Sequence, residues 1–279
     1  MIERIATTLL LALLACGANL GCADDDDDGA ATDADTDADT DADTDADTDA
    51  DTDADALAIA GEYHDEWGDF HVINQTVWTT AWMGAFHIES FVDADQVVIA
   101  HNDVENTYNA GLWSRFDWTV YSEDLYYCQT AYDAASAEAA EATPAADATD
   151  PTTGGCGGFA WTLLTPDDLE IAGNYTDAWT FSHAISNEVW DMGTMGTFQI
   201  AGYYNTSDYL IARNDEDNDY NAGLWSRFDW TVYSEDLYYC QTAYDAASAV
   251  AAEATEAADA ADPTSGGCGG YPWTELTAD

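Results

Sequence analysis

The sequence predicts an all-β fold: two tandem antiparallel β-meander domains, each a small barrel or sandwich of about six to eight strands with one short Ala-rich helix and one disulfide. Three observations carry this expectation. An offset of 112 lays residues 57–165 on residues 169–277 without a gap, so one unit of domain size occurs twice. In the N-terminal part of that unit, matched and unmatched positions alternate with period two, as they do along a strand with one restricted face. Finally, short runs rich in Val, Ile, Tyr, Trp and Thr follow one another between polar turns with no long helix among them.

Residues 1–22 read as an export segment. Arg4 precedes an apolar run over residues 5–15, about half of the roughly 20 residues that a membrane-spanning helix needs. The run ends in Leu13-Leu14-Ala15-Cys16, which resembles the lipobox of bacterial lipoproteins, where the cysteine is lipidated and becomes the first mature residue. Cys22 is the alternative, after Asn19-Leu20-Gly21. Residue types favour Cys16, because a polar Asn suits the lipobox poorly. Cysteine counting favours Cys22, because cleavage there leaves no spare thiol. A plain secretory signal with incidental cysteines is the remaining reading. The expected address is an exported protein of the cell envelope, held at the outer membrane or cell surface of a Gram-negative bacterium through that lipid alone.

Residues 23–56 contain five consecutive Asp followed by a repeated Thr-Asp-Ala-Asp tetrad. Nothing in this low-complexity segment can build a core, so it is expected to be disordered. Its charges stand about 7 Å apart in an extended chain, inside the Debye length of about 8 Å at physiological salt. Mutual repulsion therefore stretches it into a spacer. Across the whole chain 56 acidic residues stand against 4 basic ones, with no lysine, for a net charge of −52. Nucleic acid and anionic membrane surfaces are not expected as partners, since binding them draws on clustered Lys and Arg, whereas cations, neutral polymers and basic proteins remain open.

The two β domains are expected at residues 57–166 and 167–279. Along the first strand Gly61, Tyr63, Asp65 and Trp67 match Gly173, Tyr175, Asp177 and Trp179, whereas Glu62, His64, Glu66 and Gly68 differ from their partners. Further strands are expected over residues 96–102, 112–121 and 125–132. A helix over residues 134–142, capped by Asp133, follows, because Ala and Glu are good helix formers. Pro144, which is Glu256 in the second copy, ends or bends it. A Gly-rich loop and a last strand over residues 159–164 complete the unit. Divergence is uneven: only 20 of the 51 positions before Tyr108 match, but the next thirty are identical. One chain compared with itself cannot separate constraint from recent copying, and copying is the simpler account.

Cys128 and Cys156, and likewise Cys240 and Cys268, fall at equivalent places, and in an exported chain they read as two disulfides. Each closes about 29 residues, worth roughly 3.5 kcal/mol by loop entropy. A zinc site is the rival, but the two thiols of each copy come with no matching His or Cys spacing. The motifs Tyr-Asn-Ala-Gly-Leu-Trp-Ser-Arg-Phe-Asp-Trp-Thr, Leu-Tyr-Tyr-Cys-Gln-Thr and Gly-Cys-Gly-Gly-(Phe/Tyr)-x-Trp-Thr, behind an acidic spacer, resemble those of uncharacterised Gram-negative bacterial lipoproteins with cysteine-paired β domains. The resemblance implies address and architecture, and supplies no catalytic residue.

Three places are candidates for chemistry. Tyr63, Asp65, Trp67 and His71, with Arg115 and Asp117, combine rings and hydrogen-bonding groups suited to a small-molecule, glycan or protein ligand. Their counterparts are Tyr175, Asp177, Trp179, His183, Arg227 and Asp229. Against this, Arg115 and Asp117 sit on the face opposite Leu112, Phe116 and Trp118 and can satisfy each other in the wall. Next, the alternating Asp215, Asp217 and Asp219 resemble the start of a calcium loop, without its glycine or closing glutamate. Last, an exposed row among the aromatics could stack on glycans, although most aromatics in sheet proteins fill cores. No nucleophile elbow, phosphate loop or metalloprotease motif occurs. The leading expectation is a non-enzymatic binding or adhesive module with no assigned cofactor. The alternatives are an extracytoplasmic hydrolase using Asp65, His71 and Arg115, or a purely structural envelope protein.

Overall fold

A computed structural model describes residues 56–279. Cys16, Cys22 and nearly all of the acidic spacer lie outside the described residues. The first copy is a closed eight-stranded up-and-down barrel of β1 (Gly61–Asp65), β2 (Phe70–Ile73), β3 (Val77–Thr80), β4 (Gly84–Val92), β5 (Val97–Asn102), β6 (Trp113–Tyr121), β7 (Asp124–Ala134) and β8 (Thr162–Pro166). The second repeats it with β9 (Gly173–Asp177), β10 (Ser182–Ile185), β11 (Val189–Asp191), β12 (Thr197–Tyr204), β13 (Tyr209–Asn214), β14 (Trp225–Tyr233) and β15 (Asp236–Ala246). A two-stranded hairpin of β16 (Gly267–Cys268) and β17 (Tyr271–Pro272) then precedes the closing strand β18 (Thr274–Ala278). Every neighbouring pair in both barrels is antiparallel, and first meets last, as in Asp65 opposite Leu164. Of the two architectures expected, the chain forms the barrel.

Each barrel is filled by its own side chains. Trp78 stacks on Phe116 with ring centroids 4.6 Å apart, Phe86 meets Phe116 edge-on, and Tyr127 closes the group. Trp190, Phe228, Phe198 and Tyr239 repeat the arrangement. Eight strands leave an interior just wide enough for side chains, and the aromatic set occupies it. The two disulfides, Cys128–Cys156 and Cys240–Cys268, fasten the loop after the helix onto the outside of β7 and β15.

Two sequence expectations are corrected. The helices are short, α1 (Ala137–Glu141) and α2 (Ala249–Glu253), and the caps are Ser136 and Ser248, whose hydroxyls accept the Ala139 and Ala251 N–H groups. Asp133 belongs to β7, where pairing of Ala134 with Trp113 keeps the chain extended. Trp67 does not continue the first strand either. β1 ends at Asp65, and Trp67 projects from the turn that follows.

The barrels meet head to tail, one face of the first against a different face of the second. Glu62, buried on β1, accepts hydrogen bonds from the Thr206 N–H and hydroxyl. Tyr204 donates to the Ile73 carbonyl at 3.3 Å, and Glu253 accepts the Gln75 N–H at 3.0 Å. A Cβ on Gly202 would meet Ala60 at 3.2–3.3 Å, so the close approach there suits a residue without one. The equivalents of Glu62, Gln75, Gly202, Tyr204 and Thr206 in the other copy are Asn174, Asn187, Ser90, Val92 and Ala94. All of them fall in the divergent stretch before the identical thirty residues. Replacing Tyr204→Val and Thr206→Ala together removes the ring and leaves the Glu62 carboxylate short of partners. A loss of roughly 2–4 kcal/mol in the coupling of the barrels is expected, seen in urea denaturation followed by Trp fluorescence as one transition separating into two.

Candidate functional site

The sequence-derived polar cluster divides into two groups on opposite sides of the barrel wall. Arg115 and Asp117 point outward, where α1 and the disulfide-bearing loop cover them. The Arg115 guanidinium donates to Asp117 from Nε at 3.0 Å and Nη2 at 2.7 Å, and its Nη1 donates to the Glu141 carbonyl at the end of α1. The Thr130 hydroxyl completes the shell of Asp117 at 2.6 Å. Arg227 and Asp229 reproduce the set with Glu253 and Thr242. A bidentate pair of this kind binds helix to wall, and both partners are internally satisfied.

Tyr63, Asp65 and His71 lie on the inner side. Tyr63 donates its hydroxyl to the Ile59 carbonyl, and burial raises its pKa well above the ordinary phenol value. An indole N–H can only donate, so the bond from Trp78 Nε1 to His71 Nδ1 at 3.1 Å places the ring's lone pair on Nδ1. The proton is therefore on Nε2, which faces Asp65 Oδ2 at 3.6 Å. The other oxygen of Asp65 accepts the N–H groups of Trp67 and Asp69, at 2.9 and 2.7 Å, and so shapes the turn that carries Trp67 outward. His183, Trp190, Asp177 and Trp179 form the same relay. Tyr175 packs against the second core, as Tyr63 belongs to the first.

The His71 side chain is wholly enclosed, so a substrate atom cannot reach it as a hydrolase base would require. Asp65, Asp69 and His71 also form the one cluster among the described residues with metal-ligand spacing, their ligand atoms within 4.8 Å of one another. The chemistry does not suit an ion. A ligating imidazole uses one lone pair and donates its other N–H, whereas here Nδ1 already accepts the indole proton and a metal on Nε2 would strip the ring of its last one. The second copy, moreover, has Phe181 in place of Asp69. In the acidic loop, Asp215 spends one oxygen on the Asp217 N–H and the other on the Gln199 amide. The carboxylates of Asp215, Asp217 and Asp219 do not gather into such a cluster.

What the Asp65 and Asp177 turns do accomplish is the display of an aromatic side chain. Trp67 and Trp179 are 68 % and 63 % exposed. Tyr132 and Phe159 in the first copy, and their equivalents Tyr244 and Tyr271 in the second, are exposed as well. In the second copy Trp179, Tyr244 and Tyr271 line one open trough of about 940 Å³ beside the Cys240–Cys268 disulfide. Three elements bring them there: the Asp177 turn, strand β15, and the β16–β17 hairpin that the disulfide clips to β15. Gly267, with φ +95°, lets the hairpin pass over the Asp259 carbonyl, which also accepts the Trp273 indole N–H. Trp67 and Trp179 were legible as matched residues, but Tyr132, Tyr244, Phe159 and Tyr271 carried no sequence signal of exposure.

Protein-family models, curated proteins and solved structures give no match to this chain.

Burial holds the pKa of His71 and His183 below the usual imidazole range, against the opposing pull of nearby carboxylates. An unfolded histidine titrates near pH 6.5. As pH falls through about 6.5 the unfolded chain takes up protons that the folded chain refuses, so stability falls, and above that value the contribution is fully present. Below about pH 6.5, until the folded histidines themselves take up protons, each of the two contributes a slope of up to about 1.4 kcal/mol per pH unit. The His71→Gln/His183→Gln protein is expected to lose this slope while wild type keeps it, as measured by urea midpoints across the window.

Proposed function

We propose that the chain is an exported, lipid-anchored protein of a bacterial cell envelope whose two barrels act as a non-enzymatic binding or adhesive module. One observation carries the reading: the same three aromatic positions are exposed in both copies, while the barrel interiors are filled. Large rings left in water at matched places beside a disulfide-held hairpin suit recognition, since stacking and apolar contact there await a partner. A purely structural spacer gains nothing from them. The export signal, the lipobox-like run and the acidic spacer support an anchored molecule that stands off the membrane, and the disulfides suit an oxidising compartment. Matched aromatic displays on the two copies of one chain permit avidity toward a repetitive or surface-borne ligand.

Two measurements test this. In cells fed a labelled fatty acid, Cys16→Ser is expected to abolish incorporation into the protein and Cys22→Ser to leave it unchanged; the reverse result moves the anchor to Cys22. For the binding function, the full oxidised chain is tested on surfaces bearing neutral glycans, peptides or small molecules. Trp67→Ala or Trp179→Ala alone is expected to weaken retention by about tenfold or more through lost avidity. Retention that both substitutions together leave unchanged removes the grooves from the account.

A further inference from the structure

The aromatic displays of the two copies are not chemically alike, and the second is biased toward one class of ligand. Resting on the binding function proposed above, we infer that the trough of the second copy takes a cationic polypeptide segment, with an arginine or lysine side chain held between its aromatic faces and its carboxylates.

The polar atoms of the trough set this preference. The donors on the floor are directed inward: the Gln241 amide donates to Ser226 Oγ at 3.0 Å, the Thr242 hydroxyl to Asp229 at 2.6 Å, and the Trp273 indole to the Asp259 carbonyl at 3.2 Å. The exposed Glu256 carboxylate has no hydrogen bond or ion pair with any described residue. Asp259 commits one oxygen to the Ala261 N–H and leaves the other free. The trough therefore offers acceptors and π faces alongside the phenol hydroxyls of Tyr244 and Tyr271 and the Trp179 N–H. A neutral sugar requires donors and acceptors in alternation, whereas a cation requires acceptors and electron-rich faces, which attract it within about 6 Å of the ring centre.

No basic side chain lines the trough among the described residues, and the chain has little cation of its own to fill it. Arg115 and Arg227 are locked to Asp117 and Asp229, and Arg213 pairs with Glu216. At about 940 Å³ and open along its top, the trough approaches the upper end of small-molecule sites, roughly 1,000 Å³. A segment of chain fits it better than a lone ammonium ion. The net charge of −52 steers a basic partner toward the molecule. In the first copy Pro144 stands at the place of Glu256, and Phe159 at that of Tyr271. That copy lacks one carboxylate and one phenol at the equivalent places, so it is the weaker cation site.

The experiment uses the full oxidised chain with a blocked Gly-Arg-Gly-Arg-Gly peptide, its Gln-for-Arg counterpart and a neutral β-linked oligosaccharide, each titrated by Trp fluorescence and calorimetry. Near-UV circular dichroism confirms the fold of every variant. The acidic spacer contributes a background that is equal in all variants and is screened at about 0.5 M salt. Above that background, Tyr271→Ala and Glu256→Gln are each expected to weaken the Arg peptide about tenfold. Pro144→Glu is expected to strengthen the first groove severalfold. Equal affinity for the Arg and Gln peptides, or an Arg affinity that neither Tyr271→Ala nor Glu256→Gln changes, overturns the cation assignment. Oligosaccharide binding lost in Tyr271→Ala, without Arg-peptide binding, overturns the ligand class and leaves the groove function standing. If neither probe binds above background and the aromatic variants match wild type, both readings fail.

Discussion

The closure of eight strands around one indole decides where everything else in this molecule can be. Trp78 in the first barrel and Trp190 in the second are fully buried, each packed on a phenylalanine and a tyrosine from the far wall. A barrel of this size has no volume to spare once such a group is inside. The interior therefore serves stability, and whatever the protein recognises must meet it outside. The histidine on that indole belongs to the same logic. Trp78 fixes the tautomer of His71, His71 faces Asp65, and Asp65 bends the chain so that Trp67 leaves the core for solvent.

Sequence periodicity resolved the inward positions well, because a pleated strand gives each side chain a side independently of what covers it. Tyr63 and Asp65 face inward as their alternation implied, and Arg115 and Asp117 lie opposite Phe116 and Trp118. Burial of the outer face was not legible. The cover over Arg115 comes from Glu141 and from the segment near Ala146, which are remote in sequence and are fixed there by the disulfide. Trp67 was matched for a reason that period two imitates: it stands two residues beyond Asp65, but the chain has already turned. The cap was misplaced because Asp133 and Ser136 are both good capping residues three apart, and only the pairing of Ala134 with Trp113 selects the later one.

The same distinction applies to the aromatics. Among the described tryptophans only Trp67, Trp82 and Trp179 are exposed, so composition alone points overwhelmingly to core. Tyr132 and Tyr127 are both tyrosines of one strand, five residues apart: Tyr127 packs in the barrel core, whereas Tyr132 stands beyond the register shift opposite Arg115 and Phe116 and is exposed. Phe159 and Tyr271 owe their exposure to a glycine-flanked hairpin whose path no local propensity specifies. A groove assembled from a turn, a strand and a hairpin becomes visible only when the topology places those three elements together.

Duplication by itself does not produce a finite molecule with two free aromatic displays. A symmetric pairing of identical barrels would use one patch twice and would require no difference between copies. A head-to-tail joint uses two different patches, and it leaves the complementary pair open at the ends. Here the first barrel contributes Glu62 and Gln75 while the second contributes Tyr204, Thr206 and Glu253, and at every one of these places but Glu253 the other copy has a different residue. The second barrel presents Asn174 where the first offers Glu62, and the first presents Val92 and Ala94 where the second offers Tyr204 and Thr206. The open ends therefore lack the chemistry of the joint, which disfavours addition of further barrels by the same contact. None of the joint's hydrogen bonds involves Trp67, Tyr132, Phe159, Trp179, Tyr244 or Tyr271. Divergence at the joint thus has a physical role: it fixes how two barrels hold each other, while exposed aromatics persist at matched places in both copies.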